Sequence, residues 1–317
     1  MDGRLVALTH AGSFAAEAIL EKLPETGLAA DSLVLLGDDN VAGTKLGYGD
    51  TYLLVQDQRE YSFKDCGLVL MPEYDSTIEA RLSSLDTILV SHAINSDTEA
   101  IFAANRETGI KVSYTQSSIR LPGSELSCLM GVLPGLHRAF DISRCNLVLL
   151  RSAESNGKDA AKELAGQTVE LLNGREAIPS IYPQQIAFNM LPASQMHNFD
   201  NDLLKLIGKS EISCIHQVIN VPVFHGVAIS VQLEFATEVS LEECRALLDK
   251  MNAVDLVDAD TSPISHCNQS FSCVINQVEQ AEGLPRSISF WMLADPMRYG
   301  LANNYVHVTD ILLKSFL

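Results

Sequence analysis

The stretch Leu5-Val6-Ala7-Leu8-Thr9-His10-Ala11-Gly12-Ser13-Phe14-Ala15-Ala16, running on to Leu23, decides how the rest of the chain is read. Leu5–Leu8 is an apolar run of strand length, and His10–Ser13 is a turn. Ala15, Ala18, Ile19 and Leu23 then recur at helical spacing within Phe14–Leu23. Ser13 stands where an N-cap hydroxyl accepts a backbone N–H of the first helical turn. A strand passing through a tight turn into a helix opens a parallel α/β unit. The pattern repeats in Ser32–Leu36, Gly67–Met71, Thr87–Ser91 and Ile110–Tyr114, with a helix around Asp97–Glu107. Apolar strands alternating with helices predict a doubly wound, parallel sheet of Rossmann type.

The second half changes period. Leu147–Leu150 reads as a strand and Lys158–Leu172 as a helix, stopped by Asn173-Gly174. In Ala228–Phe235, residues Ile229, Val231, Leu233 and Phe235 share one face, while Ala228, Ser230, Gln232 and Glu234 share the other. Ser272–Gln277 and Ser287–Leu293 alternate in the same way. Such strands predict an antiparallel or mixed sheet with one covered face, an α+β domain. A last helix is expected over Gly300–Phe316.

Composition bounds the function. With 317 residues the chain exceeds the size at which one core remains efficient, so two domains are expected. The balance of 22 basic against 40 acidic residues, a net charge of −18, disfavours nucleic acid and anionic membrane surfaces as partners. No apolar run approaches the ~20 residues that span a bilayer, and the N-terminal residues carry no signal-peptide layout, so a soluble, cytoplasmic protein is expected. Seven scattered cysteines without a CxxC read as reduced thiols.

The turn His10-Ala11-Gly12-Ser13 lies where a dinucleotide fold keeps its glycines, yet Gly12 is the one glycine there, and an ordinary strand-to-helix turn is the simpler reading. Cys214-Ile215-His216 and His266-Cys267 lack the spacing of zinc sites, and Asp255, Asp258 and Asp260 lack a calcium-loop register, so no metal is expected. Ser124, His137 and Asp141 make a triad on paper, but thirteen residues separate Ser124 from His137.

Three segments carry a resemblance. The first is Glu163-Leu164-Ala165-Gly166-Gln167-Thr168 through Asn173-Gly174, followed by Gln185-Ile186-Ala187-Phe188-Asn189. The second is Val221-Pro222-Val223-Phe224-His225-Gly226 with the alternating strand after it. The third is Ala294-Asp295-Pro296-Met297-Arg298-Tyr299-Gly300-Leu301-Ala302-Asn303-Asn304. In order and spacing the chain resembles the aspartate-semialdehyde dehydrogenase family over most of its length, with its nearest likeness to the Usg branch of non-classical relatives. The resemblance implies a dinucleotide-binding-like domain over residues 1–136, rejoined by a C-terminal helix over 297–317. It also implies a dimerisation domain over 137–296, and hence a homodimer.

Carried over residue by residue, the resemblance implies an emptied reaction site. The family's nucleophilic cysteine opens a helix; counting back from Leu136 along that helix puts Ser124 at its position. A hydroxyl needs an adjacent base to attack a carbonyl near neutral pH. Cys128, one helical turn on, reads as a core residue rather than a substitute. The family's histidine is replaced by Val227; His225 is next door, and strand alternation is expected to aim it to the face opposite its neighbour Gly226. The arginine that holds the substrate carboxylate is replaced by Asn220, which removes the bidentate fork. The family's phosphate-turn glycines become His10, Ser13 and Ala16 around Gly12. After strand two, Asp38 and Asp39 would repel the 2′-phosphate of NADP; an acid there would suit a ribose diol and favour NAD, if either dinucleotide binds. Ser117-Ser118-Ile119-Arg120 echoes a phosphate element of the family, while the Val-Pro-Glu-Val-Asn segment that follows in the family is missing.

The expectation is therefore a dimeric, catalytically degenerate relative of the dehydrogenase that binds a small molecule or serves as an accessory protein. The alternative is an NAD(P)-dependent oxidoreductase acting on an aldehyde or acyl substrate through an altered nucleophile, Ser124 or Cys128.

Overall fold

In the computed structural model, residues 4–92, 118–193, 199–208, 212–267 and 269–316 are described. The helix expected at Asp97–Glu107, the strand at Ile110–Tyr114 and Ser117 lie outside them. Two compact units are formed, one by Met1–Gly123 with Leu301–Leu317, the other by Ser124–Gly300.

In the first unit the opening stretch folds as its apolar pattern dictates. Strand β1 (Leu5–Leu8) buries Val6, Ala7 and Leu8 completely, and helix α1 (Phe14–Lys22) buries Ala15, Ala16, Ala18, Ile19 and Leu20. Ser13 Oγ accepts from Ala16 N at 3.2 Å and caps α1. The following strands are β2 (Leu33–Gly37), β3 (Lys45–Tyr48), β4 (Thr51–Asp57), β5 (Cys66–Leu70), β6 (Ile88–Ser91) and β7 (Ser118–Arg120). They lie in the order β3-β4-β2-β1-β5-β6-β7, parallel throughout except for the β3–β4 hairpin. This is a Rossmann-like sheet. Strand order reverses between β1 and β5, and the crevice beyond the carboxyl ends of such neighbours is where this architecture binds ligands. Helix α2 (Ser76–Leu82), capped by Asp75, adds Ile78 and Leu82 to a core containing Phe63, Val69 and Met71. Each fully buried leucine-sized side chain contributes about 1.5–3 kcal/mol.

The second unit opens with α3 (Ser124–Met130) and α4 (Leu133–Phe140). A single helix was expected from Ser124 through Leu136. Gly131 and Val132 interrupt it: a Cβ on Gly131 would stand 2.1 Å from Tyr299 Oη, so the chain can pass that ring only at a glycine, and Pro134 then restarts the helix in its first turn. The sheet comprises β8 (Ile142–Arg151), β9 (Leu191–Pro192), β10 (Ser213–Asn220), β11 (Val227–Phe235), β12 (Val254–Leu256), β13 (Cys273–Glu279) and β14 (Ser287–Ala294). Its order is β12-β13-β14-β11-β8-β10-β9, with parallel β8–β10 and β12–β13 pairs among antiparallel ones. Helices α5 (Lys158–Leu172), α6 (Phe199–Ile207), α7 (Leu241–Leu248) and α8 (Pro263–His266) complete the unit.

Period two sorts the faces as expected. Ile229, Val231, Leu233 and Phe235 are buried, as are Cys145, Leu147 and Leu149 on β8. On the opposite face Asn146 and Val148 are half-buried, with the exposed Ile215, Gln217 and Gln232 beside them in register.

The last expected helix is in two parts. Pro296–Ala302 forms a π-helical turn because Asp295 holds its start: Asp295 Oδ1 accepts from Met297 N and Arg298 N, both at 2.9 Å, and its carbonyl accepts from Gly300 N at 3.4 Å. Helix α9 (Asn303–Phe316) follows and packs on α1 within the first unit, with Tyr305 Oη donating to the Met71 carbonyl at 3.0 Å.

Candidate functional site

Three strands of the second sheet end side by side. Asn220 on β10 and Val227 on β11 are both in register with Arg151 on β8, so the three residues form one rung on one face. Arg151 Nε donates to Glu125 Oε1 at 2.8 Å, and Ser124 Oγ donates to Glu125 Oε2 at 2.6 Å. Ser124 and Glu125 are the first residues of α3, so the helix start delivers both to the rung. Burial pushes the Glu125 carboxyl up, but the Arg151 guanidinium and the Ser124 hydroxyl outweigh it and hold the group below the usual carboxylate range. The carboxylate accepts from the Ser124 hydroxyl and so orients it.

Asn220 Oδ1 accepts from Asn156 Nδ2 at 3.2 Å, and the same amide donates to Tyr182 Oη at 3.3 Å. The position expected to lack a guanidinium is therefore part of a neutral amide chain. Val227 is fully buried. His225, two residues before it, stands 3.2 Å through Nδ1 from Glu154 Oε2, an oxygen that also accepts from Gly226 N at 3.3 Å. Burial, then the nearby Asp295, pushes the Glu154 carboxyl up. Gly226 adopts φ +85°, and a Cβ there would meet Pro263 Cβ at 3.1 Å.

Cys128 is completely buried, and burial, then the Glu125 charge, pushes its thiol well above the ordinary value. It packs against Gly300, where a Cβ would lie 3.1 Å from its Sγ and 2.4 Å from the Ser124 carbonyl. His137 Nδ1 accepts from Ile142 N at 3.0 Å and lies 3.8 Å from Asp141, so these two close the end of α4, while the Ser124 hydroxyl is given to Glu125.

In the first unit the turn after β1 is closed by its own neighbours. His10 adopts φ +53°, its N–H donates to Gln58 Oε1 at 3.2 Å, and its Nδ1 lies 3.0 Å from Thr9 Oγ1. Its Nε2 is 4.0 Å from Asp75 Oδ2. Burial lowers the imidazole's pKa, against the opposing pull of Glu73, Asp75 and Asp38. The Ala16 N–H is taken by Ser13. Val41 lies over the turn: a Cβ on Gly12 would be 2.6 Å from its Cγ1, and one on Gly37 would be 2.4 Å from its Cγ2. Asp38 Oδ1 accepts from Asn40 N at 3.0 Å and its other oxygen from Asn40 Nδ2 at 3.3 Å, while Asp39 pairs with Arg59. Arg120 is buried at the end of β7, with Ser118 half-buried on the same strand. Among the described residues no group of three or more His, Cys, Asp or Glu side chains could hold a metal ion, and no helix is long and apolar enough to cross a membrane.

Glu125, Arg151, Glu154 and Asn156 escaped the sequence reading. The one signal was an arginine closing an apolar strand; its partner lies 26 residues away on another element.

A Rossmann-like unit joined to a mixed-sheet unit with a polar rung at its strand ends defines a two-domain α/β chain of dehydrogenase type. Residues 133–299 match the family described as semialdehyde dehydrogenase, dimerisation domain. The chain belongs to the semialdehyde dehydrogenase family. It is 27% identical to an aspartate-semialdehyde dehydrogenase of Legionella pneumophila, over 98% of this chain and 96% of the relative. It is 26% identical to a USG-1 protein homolog of Pseudomonas aeruginosa, over 98% of each. A solved structure of a probable aspartate-semialdehyde dehydrogenase from Pseudomonas aeruginosa superimposes with a TM-score of 0.87 at 25% identity, covering all of both chains.

Proposed function

We propose that this chain is a catalytically degenerate member of its family, a cytoplasmic homodimer that acts as a small-molecule-binding or accessory protein rather than as a semialdehyde dehydrogenase. The observation that carries this reading is the closed Ser124–Glu125–Arg151 chain. Acyl transfer to phosphate needs a nucleophile of lowered pKa or one beside a poised base. Ser124 has a carboxylate already committed to a guanidinium, and that guanidinium's rung carries an amide and a valine in place of a carboxylate clamp and an imidazole. Cys128 is no substitute, because a buried thiol with a raised pKa is unreactive.

The first unit supports the same reading. A dinucleotide's pyrophosphate needs free backbone N–H groups and open space at the turn before the helix. Here the His10 and Ala16 donors are taken, Val41 fills the space beside Gly12 and Gly37, and Asp38, Glu73 and Asp75 add negative charge. These residues do not fit NADP. Asp38, the candidate ribose partner for NAD, already binds Asn40.

Dimerisation is supported by the family and by the second sheet's open face, where Ile215 is 63% exposed beside Asn146. Free cysteines throughout suit a reducing compartment.

The test is an assay with aspartate semialdehyde, phosphate and NAD or NADP, paired with calorimetric titration of each dinucleotide to millimolar concentration. Background rates and no binding heat are expected. Turnover clearly above background refutes the degenerate reading, and a monomeric mass at micromolar concentration refutes the dimer.

A further inference from the structure

Two cysteines that the strand-end site does not use meet on neighbouring strands near one edge of the second sheet. Cys145 on β8 and Cys214 on β10 are in register on adjacent parallel strands, so both side chains leave the same face. Neighbouring strands lie about 4.8 Å apart, inside the roughly 4.4–6.8 Å between Cα atoms that a disulfide spans. Cys145 is fully buried and Cys214 half-buried. Asp200 on α6 lies 2.7 Å from His216 Nδ1. His216 follows two residues after Cys214 on the same face; its side chain is 4% exposed, its Nε2 has no hydrogen-bond partner among the described residues, and its ring lies 4.5 Å from that of Phe199.

Cys145 differs from every other cysteine of the chain, Cys214 included, whose own thiol is pushed up by its neighbour and by burial. Burial pushes up the thiols of Cys66, Cys128, Cys244, Cys267 and Cys273, whereas the S–H of Cys214 stabilises charge on Cys145 and draws it down. A metal does not explain the arrangement, since these groups do not converge as ligands. Arg151 stands six residues further along β8, about 20 Å away at strand rise, so the strand-end site is separate.

We propose that Cys145 and Cys214 are a redox modification site that closes to a reversible disulfide on reaction with hydrogen peroxide. The first sulfur attacks the peroxide oxygen: an S–O bond forms, the O–O bond breaks, and the thiol proton leaves with the departing hydroxide as water. The second sulfur attacks that sulfenic sulfur: the S–S bond forms, the S–O bond breaks, and a second water leaves with the second thiol's proton. Two thiols lose two electrons and the peroxide gains them, so the balance closes. Register places the sulfurs together before reaction, and little backbone movement is needed.

The experiment treats the full-length protein with a small excess of hydrogen peroxide, alkylates the remaining thiols, and maps peptides by mass spectrometry without reduction. The expected result is one intramolecular cross-link joining the Cys145 and Cys214 peptides, reversed by dithiothreitol and abolished in C145S and in C214S. If both thiols remain alkylatable, or if Cys214 is oxidised further without cross-linking, the proposal is overturned. The wild-type map stands by itself should either variant fail to fold.

Discussion

The turn after β1 and the rung Asn220–Arg151–Val227 are both strand-end positions, one in each sheet, and both are closed by side chains of the chain itself. They are closed by opposite means. At the turn, neutral groups take the backbone donors: Gln58 receives the His10 N–H, and Ser13 receives the Ala16 N–H. At the rung, a buried ion pair takes the charge, with Arg151 14% and Glu125 5% exposed. Removing one member of a neutral pair leaves an uncharged donor unpaired, at a cost of about 1–3 kcal/mol. Removing one member of a buried ion pair leaves a charge with neither partner nor solvent. The rung should therefore be the brittle site and the turn the tolerant one.

The largest effect is expected from Glu125→Ala, which leaves the Arg151 guanidinium buried and unpaired. A loss of about 3–5 kcal/mol in urea unfolding is expected; a loss below 1 kcal/mol would mean the rung is solvated and the contrast false. The pH dependence sharpens this. Because the folded Glu125 pKa lies below its ordinary value, its contribution is complete above about pH 4.5 and is lost as the pH falls through the folded value. Glu125→Gln should flatten that acid limb.

Next comes Gly300→Ala, whose Cβ would lie 2.4 Å from the Ser124 carbonyl. It should cost about 1–3 kcal/mol by overpacking, read as a lowered Tm, and should displace α3. At the turn, Ser13→Ala removes the α1 cap and should cost about 1 kcal/mol; a cost as large as that of Glu125→Ala would erase the distinction between the two regions. The smallest expected effect is a slope. Burial lowers the folded His10 pKa from 6.5, so the unfolded chain takes up the proton first as the pH falls. Stability from this group is full above about pH 6.5 and declines toward the folded value. His10→Asn, which tolerates the positive φ, should remove that decline in pH-dependent melting.

Much of the scaffold was legible because its signals are local. Helix α5 runs from Lys158 to Leu172 with the bounds its periodicity predicts, and Gly174 ends it at φ +71°. The alternation in β11 sorts its two faces correctly. The β3–β4 hairpin was not legible, since Lys45–Tyr48 is only four residues long and offers just Leu46 and Tyr48 as its apolar signal. The break at Gly131 was hidden for a different reason: the Tyr299 ring that requires it lies 168 residues away. Ser124, Asn220 and Val227 were identified one at a time by likeness, but nothing along the chain says that Arg151 stands between the last two.

By itself the sequence determined the elements, the parallel and mixed sheets they build, and the residue types at each strand end, because period, caps and turns act over a few residues. Only the tertiary structure decided which charges meet, which thiols lie in register and which turn is filled from across the sheet. Pairing of that kind depends on strand order and register, which bring distant residues into a low-dielectric interior where a single partner changes what a side chain can do.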